Sequence, residues 1–138
     1  MLPASARYML DTNTVSFIVR DQHPHLQTRL RELPLSALCI SAITQAELLY
    51  GLARKPGATA LKAKVDAVLL RLDTLPWDHG AAHVYAPLRA SLEASGQPLA
   101  NLDTLIAAHA LALGHVLVTN DQALRRVPGL QVEDWTSA

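Results

Sequence analysis

The sequence predicts an α/β fold with a central, mostly parallel sheet flanked by helices. Two observations predict it. Half of the residues are hydrophobic but only 4% are aromatic. The core is therefore built from Leu, Val, Ile and Ala, which suits buried parallel strands under Ala-rich helices. Short apolar runs also alternate with longer stretches at helical spacing, which implies parallel pairing through crossover connections. A chain of 138 residues is long enough for one domain with a real core. Residues 1–138 read as that single domain, without repeat, linker or low-complexity tract.

Each element follows from its own residues. Residues 7–11 read as a buried strand ending at Asp11. Residues 12–33 read as helix with a break at His23-Pro24, because proline disfavours helix in the residue before it. Leu38–Ile40 is a second strand, after which Ser41 offers an N-cap hydroxyl to a helix over Ala42–Ala53. Lys55-Pro56-Gly57 marks a turn. Leu61, Val65, Val68, Leu69 and Leu72 stand at helical spacing within Ala60–Leu72. Leu75-Pro76-Trp77 reads as a short edge strand, where proline is tolerated. Ala81–Ser95 is a helix stopped by Gly96, and Leu102–Leu113 one stopped by Gly114. His115–Asn120 is strand, Gln122–Arg126 a short helix or turn, and Leu130–Trp135 a last strand.

Charge and cysteine content narrow the classes of function. Twelve basic and twelve acidic residues cancel, so no global field draws in nucleic acid, and a polyanion must be met by local patches, a bound metal or a partner. Neutrality also leaves little repulsion against self-association. The one cysteine, Cys39, supports neither a disulfide nor a Cys-based zinc site and reads as a buried structural thiol. No leader is visible, and His109, Gly114 and His115 interrupt the apolar stretch at 105–118 that would otherwise suggest a membrane span. The expected location is the cytoplasm.

Four carboxylates stand where such a sheet would present them at one rim. Asp11 and Asp121 follow the apolar runs Tyr8-Met9-Leu10 and Val116-Leu117-Val118-Thr119-Asn120. Asp103 opens a helical stretch, and Glu47 lies one to two turns into the helix after the second strand. In open α/β sheets, ligands bind outside the carboxyl ends of the strands. Each acid has an ordinary reading as well: Asp11 as a helix N-cap, Glu47 as a solvated helix face, Asp103 as an acid favoured by the helix dipole, and Asp121 as a turn former. Together they would repel. Two unit charges about 4 Å apart cost roughly 4 kcal/mol at a surface-like effective dielectric. Gathering them suits a hard divalent cation, magnesium or manganese, which takes oxygen ligands and keeps several waters. Asn13 and Thr119 are candidates to orient the carboxylates.

Other polar residues carry weaker signals. His79 and His83 have the i,i+4 spacing of a zinc pair but no third ligand, and His23 and His25 flank Pro24. His109 reads as a partly buried packing residue. Among Arg54, Lys55, Lys62, Lys64, Arg125 and Arg126, the last two are the best phosphate-binding candidates because they follow Asp121 closely. Two apolar helical faces, at Leu48-Leu49-Leu52 and at Leu61, Val65, Val68 and Leu69, are joined by a tight turn. One covers the sheet, and part of the remainder suits a dimer or partner groove.

Taken together, these segments resemble PIN-domain ribonucleases, specifically the VapC toxin branch of type II toxin–antitoxin systems. The resemblance rests on Met9-Leu10-Asp11-Thr12-Asn13, on Ile40–Gly51 with Glu47, and on Gly96-Gln97-Pro98-Leu99 leading to Asp103–Ala110. It continues through Leu117-Val118-Thr119-Asn120-Asp121, Arg126–Leu130 and Glu133-Asp134-Trp135. It implies a three-layer PIN-like fold and a magnesium- or manganese-dependent endoribonuclease acting on structured RNA, often transfer RNA. It also implies a homodimer and inhibition by a VapB-like antitoxin, whose segment crosses the toxin groove and blocks the acidic pocket. DNA is met only through the antitoxin. The family's acids carry over to Asp11, Glu47, Asp103 and Asp121. Many relatives have Asn-Asn in place of Asn120-Asp121, and Gly-Pro in place of Ala100-Asn101.

The leading expectation is therefore in-line attack by activated water on a phosphodiester. Asp11 and Asp103 are its central metal ligands, Glu47 binds directly or through water, and Asp121 completes the pocket. Two other classes compete. Asp11-Thr12-Asn13-Thr14 superficially resembles the nucleophile motif of haloacid-dehalogenase-type phosphatases, although Asn13 replaces their second aspartate. A non-catalytic module that only docks antitoxin or RNA is the third reading.

Overall fold

The structure, a computed structural model, describes residues 7–137. The readings that concern the extreme N-terminus lie outside those residues. Five strands form one sheet in the order β3-β2-β1-β4-β5: β1 Tyr8–Leu10, β2 Leu38–Ser41, β3 Asp73–Leu75, β4 Val116–Val118 and β5 Val132–Glu133. Every pairing is parallel. Six α-helices connect or cover them: α1 Thr12–Val19, α2 Pro24–Glu32, α3 Ala42–Ala53, α4 Thr59–Arg71, α5 His79–Ala94 and α6 Asn101–Leu113.

Strand alternation divides the core into two layers. Tyr8, Leu10, Leu38, Ile40, Val116 and Val118 face α1, α2 and α4, with Trp135 against them. Met9, Cys39 and Leu117 face the opposite way, onto Leu88 and Leu92 of α5 and Ile106, Ala107 and Ala110 of α6. A central strand buried on both faces must be apolar at every position, and β1 and β4 are. Helix α3 is placed between the layers. Its Leu48 and Leu52 join the first cluster and Ile43 the second.

Local chemistry sets the helix ends. Asp11 caps α1, accepting the Thr14 N–H at 2.8 Å. Ser41 caps α3 through the Ile43 N–H at 3.1 Å. Gly114 closes α6 in the left-handed conformation at φ 68°, as a glycine stop predicts. The break between α1 and α2 is wider than His23-Pro24 alone. Asp21 and His23 both adopt positive φ, and Pro24 then starts α2.

Several boundaries differ from the sequence reading; the strand expected over His115–Asn120 pairs only at Val116–Val118, and three others shift for local reasons. The third strand lies at Asp73–Leu75 and ends before Pro76. Proline has no N–H for the ladder, and Trp77 instead donates its indole N–H to the Leu105 carbonyl at 2.9 Å. The last strand pairs only at Val132–Glu133, where the Leu117 and Thr119 N–H groups donate to the Gln131 and Glu133 carbonyls. Helix α5 begins at His79, two residues early, because Asp78 caps it through the Ala81 N–H at 3.2 Å.

Candidate active site

The sheet reverses direction of growth between β1 and β4. From β1 the chain adds β2 and β3 on one side, then crosses to add β4 and β5 on the other. Ligands of open α/β sheets bind at the carboxyl ends of the strands flanking such a reversal. Asp11 follows β1 there and Asp121 follows β4. The Asp11 N–H donates to the Val118 carbonyl at 3.1 Å, so the β1–β4 pairing carries Asp11 right to the rim. Glu47 comes from α3, after neighbouring β2. Asp103 comes from the first turn of α6, the helix that feeds β4.

The electrostatics tie all four together. Asp103 is pushed up to about 6, first by burial and then by the negative charges of Asp121, Asp11 and Glu47. Asp11, 5% exposed, is also raised, chiefly by burial. Hydrogen bonds from Thr119 and Thr14 oppose that shift, and the Asp121 charge adds to it. The four ion pairs found among the described residues are Arg7–Asp73, Arg29–Glu32, Lys62–Asp66 and Arg89–Glu93. None includes one of these acids.

Hydroxyls hold the carboxylates in place. Thr119 is buried, and its Oγ1 accepts the Asp121 N–H at 3.0 Å. Asp121 in turn caps the short 3-10 helix Gln122–Arg126 through the Ala123 N–H at 2.9 Å. The Thr12 hydroxyl donates to Glu47 Oε1, and the buried Thr44 hydroxyl lies 3.3 Å from it. Thr12 and Thr44 escaped the sequence reading. Which helical side chains meet across α1 and α3 depends on helix packing, and the only hint was a hydroxyl beside Asp11. Asn13 is exposed, and its side chain makes no hydrogen bond to the acids among the described residues. Asp11 and Asp121 are thus N-caps that also stand at the rim, so the ordinary reading holds for both without removing either from the candidate site.

The remaining candidates divide. Arg125 and Arg126 are exposed on the 3-10 helix beside Asp121, with Arg126 Nε bonded to the Ala123 carbonyl at 3.2 Å. His79 and His83 are exposed with ring centroids 6.4 Å apart. His109 is more buried than expected, at 2% exposure. Among the described residues no three His, Cys, Asp or Glu side chains stand close enough together to hold a metal ion as they are placed. The rim still fits a hard cation by its chemistry. Its donors are all oxygens, they lack a cationic partner among the described residues, and magnesium leaves much of its coordination to water. Asp11, Glu47, Asp103 and Asp121 are the residues that would hold it.

A groove between α1, α3 and α4 opens beside Thr12 and Glu47. Val19, Leu48, Leu52, Leu61 and Val65 line it, together with the exposed cations Arg20, Arg54 and Lys55. No helix of the described residues is long and apolar enough to cross a membrane.

Comparison with known proteins agrees with this geometry. Residues 8–130 match the PIN domain family. The tRNA(fMet)-specific endonuclease VapC of Salmonella typhimurium is 38% identical over 130 residues, 94% of this chain and 98% of that protein. Ribonuclease VapC2 of Rickettsia felis is 35% identical over 131 residues, 93% and 97% of the two chains. Among solved structures, DNA-bound VapBC from Salmonella typhimurium superposes with a TM-score of 0.87 at 37% identity, covering 94% of this chain and 98% of that one. VapBC2 from Rickettsia felis, bound to a promoter DNA fragment, gives 0.85 at 33% identity, covering 93% and 98%. With its acids at the switch point of an all-parallel sheet and relatives alike over nearly their full length, the chain belongs to the PIN-domain family, in its VapC branch.

Proposed function

We propose that the chain is the toxin of a type II toxin–antitoxin pair, an endoribonuclease that uses magnesium or manganese to hydrolyse phosphodiester bonds in RNA. The observation that carries this reading is four mutually repelling carboxylates at one rim, none paired with a cation among the described residues. A divalent ion there would activate water and offset the charge that builds on the phosphodiester. Asp11 and Asp103 would be its central ligands, Glu47 would bind it directly or through water, and Asp121 would complete the pocket. Thr12 and Thr119 hold acids in position by hydrogen bonds, as groups around a metal's ligands commonly do. Arg125 and Arg126 meet substrate phosphates. The tRNA(fMet)-specific name of the Salmonella relative supports transfer RNA as the substrate.

The two solved relatives named above are VapBC complexes bound to DNA. By that likeness the partner is a VapB-like antitoxin, through which any DNA is bound. The groove beside Glu47 suits an antitoxin segment that blocks the acids, and a homodimer is the expected assembly. The phosphatase reading loses its motif, since Asn13 stands where a second acid is needed. The test is cleavage of transfer RNA by purified Asp11→Ala and Asp103→Ala chains, with folding checked by circular dichroism. Both should lose cleavage while staying folded. Folded variants that cut at the parental rate would overturn the assignment.

A further inference from the structure

His109 is a buried polar residue that the proposed reaction does not use. Its Nδ1 lies 2.8 Å from Ser41 Oγ, and the nearby Pro76 backbone favours a proton on the ring. Proline offers only a carbonyl there, so the ring N–H is assigned to the side facing Pro76. Nδ1 is then left to accept the Ser41 hydroxyl hydrogen, a tautomer assigned from its partners. Ser41 Oγ in turn accepts the Ile43 N–H at 3.1 Å. Every donor in this chain of bonds meets an acceptor. Burial lowers the pKa of His109, which keeps the ring neutral and Nδ1 free to accept.

The two ends of the Ser41–His109 bond stand on the two helices that carry Glu47 and Asp103. Ser41 is the N-cap of α3, six residues before Glu47. His109 lies on α6, six residues after Asp103. Both partners are buried, at 0% and 2% exposure, so water does not compete for the bond. Helices α3 and α6 also contact each other directly. The bond acts as a rivet between the two helices, close to the sheet and at the base of the site. We infer that His109 is a positioning residue: through Ser41 it sets the separation of Glu47 from Asp103 and thereby tunes how tightly the rim holds a divalent ion.

This inference rests on the acid-rim reading above, and its test separates the two. The unmodified chain, His109→Leu and His109→Asn are titrated with manganese alone by calorimetry, with thermal melts in chelator and cleavage kinetics beside them. Leucine fills similar space without an acceptor. Asparagine places an amide oxygen near the position of Nδ1, where the Ser41 hydroxyl can reach it. The His109→Leu chain should bind manganese about tenfold more weakly, the usual scale for groups that orient metal ligands, and cleave with a lower kcat and little change in KM. His109→Asn should recover most of both. Ser41→Ala should show the same loss, and adding His109→Leu to it should cost little more. Manganese affinity unchanged in folded His109→Leu or Ser41→Ala would overturn the rivet. So would His109→Asn performing no better than His109→Leu. If His109→Leu does not fold, the Ser41→Ala and His109→Asn comparison decides alone. A wild-type chain that takes up no manganese sinks the acid-rim reading, and this one with it.

Discussion

The two ends of the sheet treat charge in opposite ways. At the amino end, Arg7 donates from Nη2 to the Leu38 carbonyl at 3.2 Å and to Asp73 at 3.0 Å. It thereby ties the starts of β1, β2 and β3 together. At the carboxyl end, Asp11, Glu47, Asp103 and Asp121 share one field with no ion pair among the described residues. An acid with a cation beside it serves the fold. Acids gathered without one act against it, and that repulsion is what the proposed divalent ion would offset. Strain of this kind at functional sites is common, and relieving it often raises stability while abolishing activity.

The largest effect expected from this contrast is at Asp103. Its carboxyl lies at about 6 in the folded chain against 3.8 for an ordinary aspartate. Below the lower value both states are protonated and the group costs nothing. As pH rises through that window the unfolded chain releases its proton first, so stability falls and stays lower above about 6. The metal-free protein should therefore gain stability from this group as pH drops from 7 toward 5, and a divalent ion should reverse the trend. Asp103→Asn should be more stable than the parent at pH 7 in chelator by on the order of 1–2 kcal/mol after solvent screening. That is a few degrees in Tm. The gain should shrink at pH 5, and manganese should no longer stabilise the variant. Melts showing Asp103→Asn no more stable than the parent at pH 7 would end the contrast between the rims.

This contrast was only partly legible in the sequence. Asp11 and Asp121 could be placed directly, because an acid closing an apolar run falls at a strand's carboxyl end whatever the packing. Gly114 stops α6 as its sequence implies. Glu47 was harder, since a glutamate amid Ala46, Leu48 and Leu49 has no direction until α3 is packed against α1. The Thr12–Glu47 and Ser41–His109 bonds are tertiary, and helical spacing does not disclose them. Arg7 and Asp73 stand 66 residues apart, and no local pattern joins them. Strand ends were misplaced where pairing depends on the neighbouring strand's donors, at β5, or on a missing donor, at Pro76.

A smaller effect should follow from breaking the amino end. Arg7 is mostly covered but Asp73 is two-thirds exposed, so their attraction is screened. Exposed pairs contribute about 1 kcal/mol or less, and Arg7→Ala also removes the bond to the Leu38 carbonyl. Denaturant melts should show a loss of about 1 kcal/mol, with manganese affinity and RNA cleavage unchanged. If cleavage fell with stability, the two rims would be coupled rather than separate in function.

The smallest effect expected concerns Cys39, which reports on whether the amino end stays closed. Its thiol is fully buried and packs 3.6 Å from His115 Nδ1. Burial pushes it to about 11, opposed by Arg7 and assisted by Asp73. Only the thiolate is nucleophilic, so at pH 8 about one chain in a thousand would carry a reactive sulfur even if a reagent could reach it. Iodoacetamide should therefore leave the native chain unlabelled over times that fully modify it in denaturant. Residual labelling should follow transient opening, and Arg7→Ala should speed it about fivefold, the population change that 1 kcal/mol gives. Asp103→Asn should slow it, because removing repulsion at the far rim lowers the population of open chains. Fast labelling of the native parent would mean that the Arg7 tie does not hold the strand starts together.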